Sequence, residues 1–380
     1  MGGLAAAALL LLFAAPTPYV LYEPGIVVRA DELVTVVTAE SRDRHASPEQ
    51  PDRAAGAASR ESDAASREPD PAERTPDGRG GWLLATVYLR ERASPWSVIA
   101  SAWRSDREAY ARRAVFQGDS KEAYRRRMDV LMAESQAKAL EAAFRAAGVR
   151  YETVPDGVYV VRGSGRLRAG DRIAAVDGAA VNGLDELAEA LRARAGRAAE
   201  LTVLRDGRRI GMSLTAEEIA AEAGGPDETA ANGTAAYGTA AGAPRYRLAG
   251  AELTEIPDVR PVNPGLRVTI EDGDLAGPSA GLPLALHIYE RLTGEPLAGG
   301  RRIAATGTIE PGGAVGAVGG TAMKAIAAAR AGADLFLVPE ANREEAAAAA
   351  EAAGGGMAVA GVNTLEEALN LLRADRVLPR

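Results

Sequence analysis

The chain has 380 residues, room for two or three modest domains, and 47% of them are apolar, so a sizeable core can form. A formal charge of −8 argues against a nucleic-acid partner, because phosphate backbones are bound by basic surfaces. There is no cysteine and there are only two histidines, His45 and His287. Disulfides, thiol catalysis and a histidine-rich metal site are therefore excluded, and no cofactor or metal ligand set is expected.

The N-terminus is apolar from Leu4 to Tyr22, broken by Pro16 and Pro18. A bilayer-spanning helix needs about 20 such residues, so residues 1–24 are expected to form a transmembrane anchor; a cleaved signal peptide or a buried helix are the alternatives. Residues 25–39 and 81–148 are expected to be a strand and helix region. Within it, 82–91 alternates like a strand, and a long helix runs from Asp119 or Ser120 to about Ala147, with Met128, Leu131, Met132, Leu140 and Phe144 at helical spacing. Residues 40–80 mix charge, Pro, Ser and Gly with almost no large apolar side chain, and are expected to be a disordered insertion. His45 falls in this segment, and a catalytic or ligand role for it is not expected.

Residues 149–218 form a compact unit with strand-like runs at 157–161, 171–176 and 200–205 and a helix at 183–194. The phrase LRAGDRIAAVDGAAV (167–181) places turns at Gly170-Asp171 and Asp177-Gly178. It resembles a bacterial PDZ domain, which implies capture of an extended peptide by strand addition. The step GSGR (163–166) departs from the small apolar sequence usual there. Residues 219–246 are expected to be a flexible linker.

The chemistry is concentrated in residues 247–375. A strand-like run to Ile270 leads through an acidic loop into GPSAG and then a helix from about Pro278 to Leu292. Pro278 suits a first helical turn. Ser279 then stands at a helix N-terminus, where free N–H groups and the helix dipole favour an oxyanion, and Gly277 and Gly281 leave space for a substrate backbone. A serine needs a base. His287 lies eight residues along the same helix, roughly 12 Å away, and is out of reach. Further on, RRIAATGTI reads as a strand, GGAVGAVGG (312–320) as a hairpin, and Thr321 as the N-cap of a helix that puts Lys324 in its first turn. Apolar surroundings and the positive helix end both lower an amine's pKa toward what a general base requires.

GPSAG followed by GGTAMKAIAAARAGA, with Lys324 45 residues after Ser279, resembles the Lon peptidase family. The resemblance implies an α+β chain whose Lon-type α/β proteolytic domain acts as a serine endopeptidase, with Ser279 as nucleophile, Lys324 as general base and Thr306, Gly277, Pro278 and Ala280 in support. Where many members carry Asp three residues before the serine, this chain has Ala276, and the nearest acids are Asp272 and Asp274. The order of apolar segment, SPWSVIASAW (94–103), MAESQAKALEAAF, PDZ-like unit and Lon-like domain is similar to the bacterial PDZ–Lon membrane peptidases. That implies a single-pass membrane protein with an extracytoplasmic catalytic domain, acting on polypeptide substrates. It leaves homo-oligomer assembly open. No GxxxxGK[ST] phosphate loop occurs in the sequence, so cleavage without ATP of segments already unfolded or extended is expected. The rival reading is a catalytically silent, membrane-tethered peptide-binding scaffold. The tail (344–374) reads as helix, strand, helix.

Overall fold

The computed structural model describes residues 11–37, 80–194, 197–215, 220–222, 245–271 and 275–375. In chain order the elements are β1 (Tyr19–Arg29), β2 (Val34–Val37), β3 (Gly81–Arg90), α1 (Pro95–Ser101), β4 (Glu108–Ala111), α2 (Arg112–Phe116), α3 (Lys121–Ala146), β5 (Tyr151–Arg162), β6 (Arg172–Val176), β7 (Ala179–Ala180) and α4 (Leu184–Arg192). They continue with β8 (Ala198–Arg205), β9 (Arg208–Thr215), β10 (Ala220–Glu222), β11 (Arg245–Leu248), β12 (Ala251–Pro261), β13 (Arg267–Ile270), α5 (Gly281–Thr293), β14 (Arg302–Ala305), β15 (Thr308–Ile309), β16 (Val315–Gly316), α6 (Thr321–Arg330), β17 (Leu335–Pro339), α7 (Arg343–Ala352), β18 (Ala358–Val362) and α8 (Leu365–Asp375).

Two sheets organise the chain. The first has the order β18-β17-β14-β3-β1-β4, with β18, β17, β14 and β3 parallel and β1 and β4 antiparallel. Both its faces are covered, and successive strand residues alternate between two cores. Trp82, Leu84, Ile303, Leu335 and Leu337 pack on one side with α3, α5 and α8. Leu83, Ala85, Ala304, Phe336 and Val338 pack on the other with α6 and α7. Strands contributed by the N-terminal region thus complete a sheet whose other half lies more than 200 residues later. β3 and β14 pair in parallel, Leu84 opposite Ala305, and β3 runs on to Arg90 past the end of β14.

The second sheet, β10-β11-β12-β5-β6-β8-β9 with β7 on β6, wraps around α4 and holds its own core of Val158, Val160, Ile173, Leu187, Leu191, Leu201 and Val203. Asp177 and Gly178 take φ values of 49° and 84°, the turn read from sequence. Asp171 is fully buried and receives both Nε and Nη2 of Arg205 at 2.6 Å, a forked charge-assisted pair that ties β6 to β8. β12 pairs with β5 along nearly its whole length, Glu252 opposite Arg162 to Pro261 opposite Tyr151, so the chain leaves this sheet only after Pro261.

Several expectations change. Tyr19–Tyr22, the end of the expected anchor, are the first residues of β1 and not a helix; they pair with β4, Leu21 and Tyr22 also pair with β3, and Pro16 and Pro18 stop the helical residues 11–14 before them. No helix among the described residues is long and apolar enough to cross a membrane, and residues 1–10 lie outside the described residues. The expected linker at 219–246 contains β10 and the first two residues of β11, which pair with Ala221 opposite Tyr246; residues 223–244 lie outside the described residues. So does nearly all of the expected insertion at 40–80, His45 included. The long helix forms as expected: Ser120 caps it by accepting from the Ala123 N–H at 3.1 Å, and Gly148, with φ of 67°, ends it.

Candidate active site

The site lies where β14 stops. Thr306 and Gly307 interrupt the run between β14 and β15, Gly307 with φ of 152°. The peptide groups at the break are spent on holding the serine turn: the Gly307 N–H donates to the Ser279 carbonyl at 3.0 Å, and the Leu282 N–H donates to the Gly307 carbonyl at 3.0 Å. The Thr306 N–H meets Leu337 O at 3.0 Å, so the break stays registered to β17.

Pro278–Ala280 form a single 3-10 turn that runs into α5. Gly277, before it, has φ of 93°, a conformation that suits glycine and turns the chain sharply into the helix. Two features differ from the sequence reading. A Cβ on Gly281 would lie 2.9 Å from Ile309 Cγ2 and 3.0 Å from Ser135 Oγ, so the space this glycine leaves is filled by the protein's own strand and not by a substrate. The N–H groups of Gly277, Gly281 and Leu282 are engaged by Met128 O, Pro278 O and Gly307 O, so these amides are not free to meet an oxyanion. From α3, the buried Ser135 hydroxyl donates to Pro278 O at 2.9 Å and fixes the turn from below.

Lys324 approaches from the opposite face of the sheet. It lies in the first turn of α6, as expected, but the N-cap is Gly320, with φ of 66°, and Thr321 is the first helical residue. Thr321 gives its hydroxyl to Val318 O at 3.1 Å, and Asn342, buried, clamps Val318 through both its amide atoms at 2.9 and 3.1 Å. The helix start is capped from α7: Glu345 Oε1 accepts the Ala322 N–H at 3.0 Å. Lys324 is 1% exposed, and burial in apolar surroundings lowers its pKa from 10.5 to about 7, with the Glu345 carboxylate opposing the shift. Its Nζ donates to Thr306 Oγ1 at 3.1 Å, and the Thr306 hydroxyl reaches Ser279 O at 3.3 Å. Thr306 is thus a bridge between the two segments.

Ser279 and Lys324 line one cavity of ≈ 350 Å³, walled by Leu84, Tyr124, Met128, Met132 and Leu275. Gly25 and Ile26 also line it, at the point where the β1–β3 register shifts between Pro24 and Val27. Of the supporting residues, Gly277 and Ala280 line the cavity, while Pro278 is buried behind the turn and Thr306 under Lys324. His287 lies in α5, 6% exposed and away from the cavity; burial holds its pKa down at about 4. Ser135, Asn342 and Glu345 were not singled out in the sequence. Each acts across a gap of more than 20 residues on a backbone group, which leaves no local motif.

Ser279 and Lys324 both fall within a segment that matches a known domain. Residues 267–374 match the Lon protease (S16) C-terminal proteolytic domain, and residues 146–215 match the PDZ domain. Among curated proteins, the chain is 35% identical over 96 residues to a Lon protease of Halothermothrix orenii, covering 25% of this chain and 12% of that protein. It is 30% identical over 103 residues to a Lon protease of Neorickettsia sennetsu, covering 27% of this chain and 12% of that protein. The chain thus spans about an eighth of the length of these relatives. It contains a Lon-type proteolytic domain and a PDZ domain in one polypeptide.

The buried amine has a consequence for stability. Its pKa is about 7 in the folded chain and 10.5 in the unfolded one, so between these values the unfolded state binds more protons and stability rises with pH. Lys324→Met removes the cost of keeping the amine neutral, on the order of 4 kcal/mol at pH 7. Denaturant unfolding should show the variant more stable than wild type at neutral pH, with the gap closing as pH approaches 10.5. A gap independent of pH would show that the amine is not buried in this way.

Proposed function

We propose that the protein is a serine endopeptidase in which Ser279 is the nucleophile and Lys324 the general base. The observation that carries this reading is the neutral-leaning Lys324 amine, fully enclosed and lining the same cavity as the Ser279 turn. A base with a pKa near the working pH combines availability with driving force for proton transfer. Lys324 takes the Ser279 hydroxyl proton as Oγ adds to the scissile carbonyl carbon. The resulting ammonium returns that proton to the leaving amine as the C–N bond breaks, leaving an acyl ester on Ser279. Water, deprotonated by the same amine, then adds to the ester and releases the acid, and the proton goes back to Ser279. Thr306, by accepting from Nζ, holds the amine in place. The amides of Ser279 and Ala280 are the candidates in the turn for stabilising the oxyanion.

The apolar cavity wall favours an apolar residue beside the scissile bond. The reaction is taken to need no ATP, on the sequence's lack of a phosphate loop, and the substrates to be segments already extended. The PDZ domain is proposed to present them by strand addition along β12. From Thr254 onward this strand is paired only to β5 among the described residues, and the Leu184 N–H of α4 donates to Glu255 at 2.7 Å beside it. Attachment to the cell membrane belongs to the same proposal, through residues ahead of Thr17 with the catalytic domain outside the cytoplasm; resistance to alkaline extraction and exposure to added protease in spheroplasts check it.

Labelling by a serine-reactive probe should be present in wild type and absent in Ser279→Ala. In Lys324→Ala it should fall by about 10²–10⁴-fold, the worth of a general base. Labelling that persists without Ser279 overturns the assignment, and a wild type that never labels favours the silent scaffold. The rate should rise with pH through about 7 as Lys324 loses its proton. Because Glu345 raises that pKa, Glu345→Gln should move the rising limb to lower pH while still accepting the Ala322 N–H; an unmoved limb would assign it to another group. Added peptide should slow amide hydrogen exchange in residues 254–259 and leave β9, at the far edge of the same sheet, unchanged.

A further inference from the structure

We infer that the β4 edge of the six-stranded sheet is a membrane-interface surface that rests on an anionic bilayer. This stands apart from the peptidase reading and from whether an anchor exists. Large apolar side chains are scarce on the surface of the described chain, yet Phe13, Trp96, Ile99 and Trp103 are all exposed, Trp103 to 77%. Trp96 and Ile99 lie on α1, Trp103 follows its end, and a ring contact brings Phe13 to the same helix. The Phe13 and Trp96 rings lie 5.7 Å apart. The Thr17 hydroxyl and amide both donate to Ala93 O, at 2.8 and 3.1 Å, just ahead of α1. Tyr19 pairs with Ala111 on β4, and the Arg112 N–H donates to Pro18 O at 2.8 Å.

The side-chain chemistry is that of a bilayer boundary. Indole rings settle at the headgroup level, where an apolar body and a polar N–H are both satisfied. Residues 90–113 carry six arginines against three acids, in a chain whose formal charge is −8. Some are paired within the protein: Arg90 and Arg107 with Glu23, and Arg104 with Asp106. Arg112, whose Nη1 donates to Glu91 O at 3.3 Å, and Arg113 line an open cavity of ≈ 490 Å³ with Tyr19, Phe116 and Asp119, and Arg112 lies 4.4 Å over the Phe116 ring. Cationic side chains flanking exposed indoles fit an acidic phospholipid surface. The patch also continues the apolar N-terminal sequence, which carries no charged residue from Leu4 to Tyr22. A bilayer is therefore the favoured occupant over a second copy, whose matching face would bring the same arginines together.

The test uses the full chain with phosphatidylcholine vesicles with or without phosphatidylglycerol, and with brominated acyl chains as quenchers. The chain has three tryptophans, and Trp82, 2% exposed, is the internal control. Brominated vesicles containing phosphatidylglycerol should quench emission by about twofold and shift it to the blue, and Trp96→Ser/Trp103→Ser should abolish the quenching. Quenching reports where the indoles sit, so it holds whether or not the N-terminal residues keep the protein on the vesicle. Arg112→Gln/Arg113→Gln should weaken the phosphatidylglycerol dependence by about fivefold per charge, and added salt should act in the same direction. Emission indifferent to brominated lipid overturns the inference. So does protection of the indoles from iodide by concentration alone, without vesicles, which would assign the patch to self-association.

Discussion

A primary amine enclosed in apolar surroundings is the constraint around which the rest of this structure is arranged. Lys324 is 1% exposed, and a charged amine there would lose its hydration. Its apolar neighbours hold it near neutrality at ordinary pH. The hydroxyl of Thr306 then gives the nitrogen a fixed hydrogen-bond partner, and the same residue touches the serine turn. The cavity wall, the break after β14 and the cap on α6 all serve to keep that amine dry and stationary.

The enclosure needs walls from five separate parts of the chain. The serine turn comes from the start of α5, on one face of the sheet, and the lysine from the start of α6, on the other. They meet because β14 ends at Ala305 while β3 continues, which opens a notch above the strand end. β1 and β3 close one side with a bulge at Pro24–Val27, and α3 closes another with Met128 and Met132. The segment matched to the proteolytic domain, 267–374, carries Ser279 and Lys324, but the sheet that supports it is completed by residues 19–29, 81–90 and 108–111. The PDZ domain sits between these two contributions in sequence.

Polar groups outside the Ser–Thr–Lys line do the positioning. Ser135 holds the serine turn through a carbonyl, Asn342 fixes the loop before α6, and Glu345 caps that helix while biasing the lysine's charge. Glu345 as a residue is exposed, yet its carboxylate turns in toward the first turn of α6, where it influences the buried amine from outside the cavity.

Much of this was legible from residue order. The helix from Ser120, the turn at Asp177-Gly178, the glycine punctuation around Ser279 and Lys324 and the exclusion of His287 follow from local periodicity, capping and reach, because each is settled within a few residues. The motif around Ser279 and the lysine helix identified the proteolytic domain for the same reason. The amino-acid order did not show that Tyr19–Tyr22 belong to a strand, since an apolar run reads alike as membrane helix or buried strand until a partner strand is known. Nor did it show that Gly281 makes room for Ile309, or that Thr321 yields its cap position to Gly320. Residue types and spacing thus pointed to Ser279 and Lys324; only the tertiary structure decided that they share one cavity, because what joins their segments is hydrogen bonding of each to Thr306, 27 and 18 residues away, and such pairing has no signature in any local stretch of chain.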